Sequence, residues 1–410
     1  METENNMKIP KGFRFGVAEA AIKKPGRLDL ALIFSEKDAA IAGVFTTNKI
    51  KGAPVKLDIE RIKSGKARAI VANSGNANVC NGTRGMRDAN EMARIAALGL
   101  GVEEETVYIA STGVIGAPLP MERIRPKLSA AAEDTRSGSK NAKKAKNPSC
   151  FEDVAAAIMT TDTFPKLAAK SFKAGGREVR LAAVAKGSGM IHPNMATMLC
   201  FIITDLNINR AALARALKGS VEKSFNRITV DGDTSTSDTV LIMANGLAGN
   251  AQLNASSDGY AQFCRALDAV TSELARMVAK DGEGATKLVE VHVKGAKTKK
   301  DALRGAFTIA DSPLVKTAIN GNDANWGRIM AALGRSGINI EEEKIDIYLG
   351  KIKIVGKGMS KGKDAEAGKL LRESKEISLV VDLNLGGESE KVLTCDLTEE
   401  YIRINAEYRT

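Results

Sequence analysis

The sequence predicts an α/β protein in which α and β elements are layered and sheets are flanked by helices. Three observations point there. Short apolar runs ending at Gly-, Ser- or Asn-rich turns occur in both halves of the chain, between stretches of helical spacing. The 38 glycines, set against 4% aromatic residues, suggest many tight turns between short strands. A length of 410 residues is too great for one simple core, so two or three domains are expected.

In chain order, residues 69–72 form an apolar run that stops at the turn signal Asn73-Ser74-Gly75-Asn76. Asp88 is placed to cap a helix through Met92, Ile95 and Leu98, ending near Gly99 and Gly101. A strand is expected over 107–110, running into Ser111-Thr112-Gly113, and a helix over 151–159, ending at Thr160-Thr161-Asp162. Residues 137–147, rich in Ser, Lys and Asn, read as an exposed loop. Residues 180–184 read as a strand leading into Gly187-Ser188-Gly189, and 197–204 as a buried strand followed by a helix over 210–225. A long helix is expected over 259–280 and a strand over 288–293. Ser312-Pro313 opens a short helix that closes at Asn320-Gly321. Further strands are expected over 344–349, 351–355 and 377–383.

The composition, 44% hydrophobic and 27% charged, is that of an ordinary globular protein. The five cysteines have no metal-ligand spacing, which suits a reduced compartment. The first 13 residues carry no leader-like apolar stretch and no run is long enough to span a bilayer, so a soluble, cytoplasmic protein with no membrane partner is expected. Part of the net charge of +11 lies in two lysine-rich runs, 140–146 and 294–300. Without interleaved aromatics or a nucleic-acid motif they read as solvated loops, so no nucleic acid is expected as partner. A milder reading is attraction of small anionic substrates.

Only two histidines, His192 and His292, are present, so a Ser-His-Asp or Cys-His unit would have to use one of them. His292 lies mid-strand in a structural setting, and His192 precedes Pro193 in a loop that could line a pocket. No histidine-rich zinc site, Walker A loop or dinucleotide fingerprint is found. What remains is a threonine at a chain start, whose hydroxyl is activated by its own α-amine. That amine titrates at roughly pH 7.7–8.0. An internal threonine gains it only when the peptide bond before it is cut.

Residues 186–205 read KGSGMIHPNMATMLCFIITD. This segment resembles the signature of the ornithine acetyltransferase family, also called glutamate N-acetyltransferase. The resemblance implies a self-processing fold of the N-terminal-nucleophile kind. It also implies autocatalytic cleavage between Ala196 and Thr197, giving chains 1–196 and 197–410, with Thr197 as nucleophile. Phe45-Thr46-Thr47-Asn48 and Asn73-Ser74-Gly75-Asn76-Ala77-Asn78 are similar to family blocks, as is Ser111 to Gly116. By the same resemblance Thr112 and Gly113 form the oxyanion hole. Thr160 (with Thr161 as alternative), Lys186, Thr197, Glu283, Asn405 and Thr410 bind substrate. Lys186 is the carboxylate anchor, and Glu283 meets either the cationic end of ornithine or the Thr197 amine. Residues 230–238 (VDGDTSTSD) and 323–328 look family-like without a role, with structural packing near the site as default.

The reaction implied is ping-pong transfer of acetyl from N2-acetylornithine to glutamate in the arginine-biosynthesis acetyl cycle, with no metal or coenzyme. The implied assembly is a heterotetramer, two α and two β chains. Three other readings stay open: an aminopeptidase or amidase that passes its acyl group to water, an additional use of acetyl-CoA, and a non-catalytic basic binding protein.

Overall fold

The computed structural model describes residues 7–138, 150–192 and 198–408. The lysine run 140–146, most of the 137–147 loop, Ala196, Thr197 and Thr410 therefore lie outside the described residues. The chain divides into two compact units. One comprises Met1–Gly187, Asn194–Asn226 and Thr234–Ala275, the other Ser188–Pro193, Arg227–Asp233 and Arg276–Thr410. Each unit thus draws on residues from both sides of the Ala196–Thr197 bond.

The first unit is built on β1 (Phe13–Ala18), β2 (Leu30–Phe45), β3 (Lys66–Asn73), β4 (Val107–Ser111), β5 (Lys166–Ala174), β6 (Arg177–Lys186), β7 (Leu199–Thr204) and β8 (Thr239–Ala244). They form one mixed sheet in the order β4-β3-β2-β8-β7-β6-β5, with β1 against β2. Its helices are α1 (Ala53–Arg61), α2 (Gly82–Leu100), α3 (Met121–Ser137), α4 (Phe151–Ile158), α5 (Arg210–Lys223) and most of α6 (Tyr260–Lys280). Both faces of the sheet are covered. Leu30, Leu32, Val71 and Ile109 pack with α1, α2 and α3 residues, while Ile33, Ile70 and Tyr108 pack with Phe151, Val154 and Ile158 of α4. A sheet buried on two sides needs apolar residues at successive positions, which is why β7 reads as an unbroken apolar run.

The second unit carries β9 (Leu288–Ala296), β10 (Asp346–Leu349), β11 (Ile352–Gly356), β12 (Met359–Ser360), β13 (Glu376–Asp382) and β14 (Glu388–Cys395), ordered β12-β11-β10-β13-β9-β14. Only β13 and β9 run parallel. Val289, Val291 and Val293 of β9 bury against α7 (Lys299–Ala310), α8 (Pro313–Asn320), α9 (Trp326–Gly334) and α10 (Asp364–Glu373). The alternate residues Glu290, His292 and Lys294 are only half-buried, the period-2 pattern of a sheet with one core face. The last helix is α11 (Glu399–Ala406).

The layered α/β expectation holds, and most expected elements are present. Three expectations are corrected. Asp88 does not cap a helix: α2 begins at Gly82 and Asp88 is buried within it. Gly85 sits inside that helix because a Cβ there would meet Asn78 Oδ1 at 2.7 Å. The strands of the first half are not all short, since β2 spans 16 residues. It is masked in the sequence by exposed Glu36, Lys37 and Asp38, where its pairing with β3 shifts register. The 294–300 run is not a loop but the end of β9, with Lys294 paired to Asp382 at 3.0 Å, and the exposed first turn of α7. Among the described residues no helix is long and apolar enough to cross a membrane.

The β7 core position Phe201 is fully buried whereas Leu98 on α2 is 72% exposed. Phe201→Ala is expected to lower unfolding stability by about 3–5 kcal/mol. Leu98→Ala should stay within about 0.5 kcal/mol of wild type. Urea denaturation followed by circular dichroism checks both.

Candidate active site

β4 ends at Ser111 and the chain turns sharply through Thr112 and Gly113. The turn is held by the 73–78 segment that follows β3. Thr112 N–H donates to the Asn73 carbonyl (3.0 Å) and Val114 N–H to the Gly75 carbonyl (3.3 Å). The Ser111 hydroxyl donates to Asn73 Oδ1 (2.6 Å), and Asn73 Nδ2 in turn reaches the Asn76 carbonyl (2.9 Å). Gly113 has φ +132°, and a Cβ there would lie 2.3 Å from the Gly75 carbonyl carbon. Both facts demand glycine at this position. The block that looked family-like in sequence is therefore the mould of the turn.

Lys186, the last residue of β6, is buried and donates from Nζ to Thr112 Oγ1 at 3.1 Å. An ammonium group can only donate, so the Thr112 hydroxyl proton is left to be given to another acceptor. Asp162 organises the surroundings. Its Oδ1 accepts from Lys166 Nζ (2.7 Å) and from Gly187 N–H (2.7 Å), and its Oδ2 accepts from Thr160 N–H (2.9 Å). Burial pushes this carboxyl up, but the Lys186 and Lys166 charges and the hydrogen bonds outweigh burial and hold it at about 2. It stays ionised at any physiological pH. Arg27 fixes the same turn from outside, donating to the Met159 and Thr160 carbonyls. Thr112, Gly113, Thr160 and Lys186, singled out from sequence, are thus gathered in the first unit. Asp162 as their link was not foreseen beyond its place in the Thr-Thr-Asp block. The signal available was the Lys166 spaced i+4 from it.

Also in the first unit, Met198 is fully anchored. Its carbonyl accepts from Thr239 N–H (3.0 Å) and its N–H donates to Asp238 Oδ1 (2.8 Å). Burial pushes the Asp238 carboxyl well above the ordinary carboxylate range, which the Met198 N–H and the Lys186 charge only partly offset.

In the second unit, Glu283 donates its N–H to the Ser188 carbonyl (2.8 Å) and its Oε2 accepts from Asn405 Nδ2 (2.8 Å). The Glu283 carboxylate rests directly on Gly189, where a Cβ would come within 2.3 Å of Cδ. Asp231 binds the Met190 and Ile191 N–H groups (2.6 and 2.9 Å) and accepts from the Tyr401 hydroxyl (3.2 Å). Glu283 and Asn405, both singled out from sequence, are therefore in contact. The acidic 230–238 block gains a concrete job through Asp231 and Asp238. His192 leans on Asp311 and Thr229 at 3.5 Å, and the pKa of half-buried His292 is lowered by burial and by Lys391. Among the described residues no cluster of His, Cys, Asp and Glu is arranged to hold a metal.

Comparison with known proteins bears on this arrangement. The family model described as ArgJ matches residues 14–410. The arginine biosynthesis bifunctional protein ArgJ of Geobacter sulfurreducens is 52% identical over 401 residues, covering 98% of this chain and 99% of its own. That of Symbiobacterium thermophilum is 50% identical over 404 residues, covering 98% of each chain. A crystal structure of ArgJ from Bacillus halodurans is 46% identical and covers 50% of this chain and 97% of its own, with a TM-score of 0.49. With a family match running to the last residue and half of all positions shared with full-length relatives, the chain belongs to the ArgJ family.

Proposed function

We propose that this chain, an acetyltransferase of arginine biosynthesis by family, cuts itself between Ala196 and Thr197 and carries acetyl from N2-acetylornithine to glutamate on Thr197. The observation that carries the reading is the buried Lys186–Thr112 contact beside the close-packed Gly113 turn. It orients a hydroxyl donor next to a backbone that only glycine can supply, the requirement for an oxyanion hole. The N–H groups flanking Gly113 are already committed to carbonyls, which pins the plane of its own peptide.

In the cut, Thr197 Oγ adds to the Ala196 carbonyl carbon, the C–N bond breaks, and the hydroxyl proton ends on the released amine. Water then hydrolyses the ester. In transfer, the new α-amine takes the Oγ proton as Oγ attacks the acetyl carbonyl. Thr112 O–H and Gly113 N–H hold the oxyanion. The proton passes to the departing ornithine amine, and glutamate reverses the sequence. Lys186 and Thr160 receive the shared amino-acid head. Glu283, oriented by Asn405, takes the cationic end or the Thr197 amine, with Thr410 as a further substrate contact. The relatives' name, bifunctional, supports a second activity, for which acetyl-CoA is the acetyl source we favour. We place the enzyme in the cytoplasm as an α2β2 heterotetramer. Hydrogen bonding of β6 to β7, which flank the bond to be cut, gives a physical reason for the fragments to stay together.

Intact-mass analysis should give two fragments for wild type, co-eluting under native conditions, and one uncut chain for Thr197→Ala. An active wild-type chain that stays whole overturns the nucleophile assignment. Thr112→Ala should lower kcat by about 10²–10³-fold with KM little changed, read by acetylglutamate formation. Free acetate in place of acetylglutamate would mark a hydrolase. Because the base is an α-amine, kcat/KM should rise with pH through about 7.7–8.0. A flat profile from pH 6.5 to 9 would exclude the amine as base.

A further inference from the structure

Residues 234–238 take no part in the mechanism above, yet hydrogen bonds tie them to the 46–52 segment of the first unit. Thr46 N–H donates to the Asp238 carbonyl (3.0 Å) and its hydroxyl to the Ser235 carbonyl (2.6 Å). Asn48 Nδ2 donates to the Thr234 carbonyl (2.9 Å) and Gly52 N–H to the Thr236 carbonyl (2.9 Å). The 45–48 block is thus a rivet for 234–238. What the rivet presents is the Asp238 side chain.

β7 and β8 pair in parallel from Leu199 opposite Thr239. One residue earlier, Met198 is buried and its carbonyl is taken by Thr239, but its N–H goes to a side chain and not to a β8 carbonyl. Asp238 Oδ1 fills that place at 2.8 Å and extends the ladder by one step with a side chain. The nitrogen it holds belongs to the peptide that joins Met198 to Thr197. Asp238 Oδ2, beside the Ser235 side chain, makes no hydrogen bond of ordinary geometry among the described residues, and the whole group is buried. Burying a carboxyl to satisfy a single N–H is an expensive solution if stability were its only purpose. Its location, one residue from the nucleophile, supplies another.

We propose that Asp238 is a positioning residue for the reaction: by accepting from the Met198 N–H it fixes the peptide that carries Thr197, for self-cleavage and for acetyl transfer alike. This rests on the reading of Thr197 as nucleophile. What the contact requires is an oxygen that accepts from an N–H, and burial, which raises this carboxyl, lends it no support as a charge. An asparagine, which keeps an oxygen in the same place, should therefore serve in its stead.

The test compares Asp238→Asn and Asp238→Ala with wild type by rate of self-cleavage from intact mass, by kcat and KM of the cut fraction, and by thermal melting. Asp238→Asn is expected to retain at least a tenth of the wild-type cleavage rate and kcat. A folded Asp238→Ala should cut at least 100-fold more slowly, and its cut fraction should lose kcat far more than it changes KM. A purely structural role would lower the melting temperature and leave both rates of the folded protein intact, which overturns the proposal. So does an Asn variant as defective as the Ala variant. Should Asp238→Ala not fold, Asp238→Glu replaces it, since one added methylene displaces the acceptor: slowed cutting supports the proposal and wild-type cutting overturns it. Thr197→Ala run alongside separates the two claims. If Thr197→Ala is cut and active, the nucleophile reading fails whatever Asp238 does. If it is uncut while the Asp238 variants match wild type, only the present proposal fails.

Discussion

The buried ammonium of Lys186 is the constraint on which the arrangement of the first unit depends. Taking a charge out of water costs several kcal/mol unless neighbours compensate. Compensation here comes from the Thr112 oxygen and from Asp162, which also answers Lys166. Asp162 can do this only while ionised, and two ammonium groups keep it so despite burial. It also grips the N–H groups of Thr160 and Gly187. One carboxylate therefore sets the ends of α4 and β6, the place of the lysine, and through the lysine the orientation of the Thr112 hydroxyl. Removing any member takes a buried hydrogen-bond or charge partner from its neighbours, so the members are energetically coupled.

The same logic explains two polar blocks that look like loops. Residues 73–78 spend side chains and backbone alike on shaping the Thr112–Gly113 turn, and 46–48 spend theirs on 234–238. Neither block needs to touch a substrate to matter. Each sets backbone geometry that an apolar core could not specify, because hydrogen bonds are directional and packing is not.

How much of this was legible in the sequence depended on the length scale of the signal. Strands buried on both faces, such as β7, announce themselves as apolar runs, and α8 is marked by Ser312-Pro313 at its start and Asn320-Gly321 at its end. β2 was hidden because its charged mid-section reads as a turn although the strand continues past a register shift. Gly82 and Gly85 hid the start of α2, since glycine needed for close approach looks in sequence like glycine needed for a turn. At the site, Thr112, Gly113, Thr160 and Lys186 came from resemblance. Their linkage through Asp162 was hard to read because it needs the β5–β6 pairing, which sets Lys166 opposite Ala185 and so returns Gly187 to Asp162; only the i+4 spacing of Lys166 hinted at it.

The acidic 230–238 block shows why chemistry and folding cannot be assigned to separate residues here. Asp231, within the second unit, holds the backbone of Met190 and Ile191, upstream of the proposed cleavage site. Asp238, within the first, holds the backbone of Met198 downstream. In the proposed cut protein residues 190 and 191 would lie on one chain and Asp231 on the other, so the Asp231 hydrogen bonds would join the two. The β6–β7 ladder would join them in the same way.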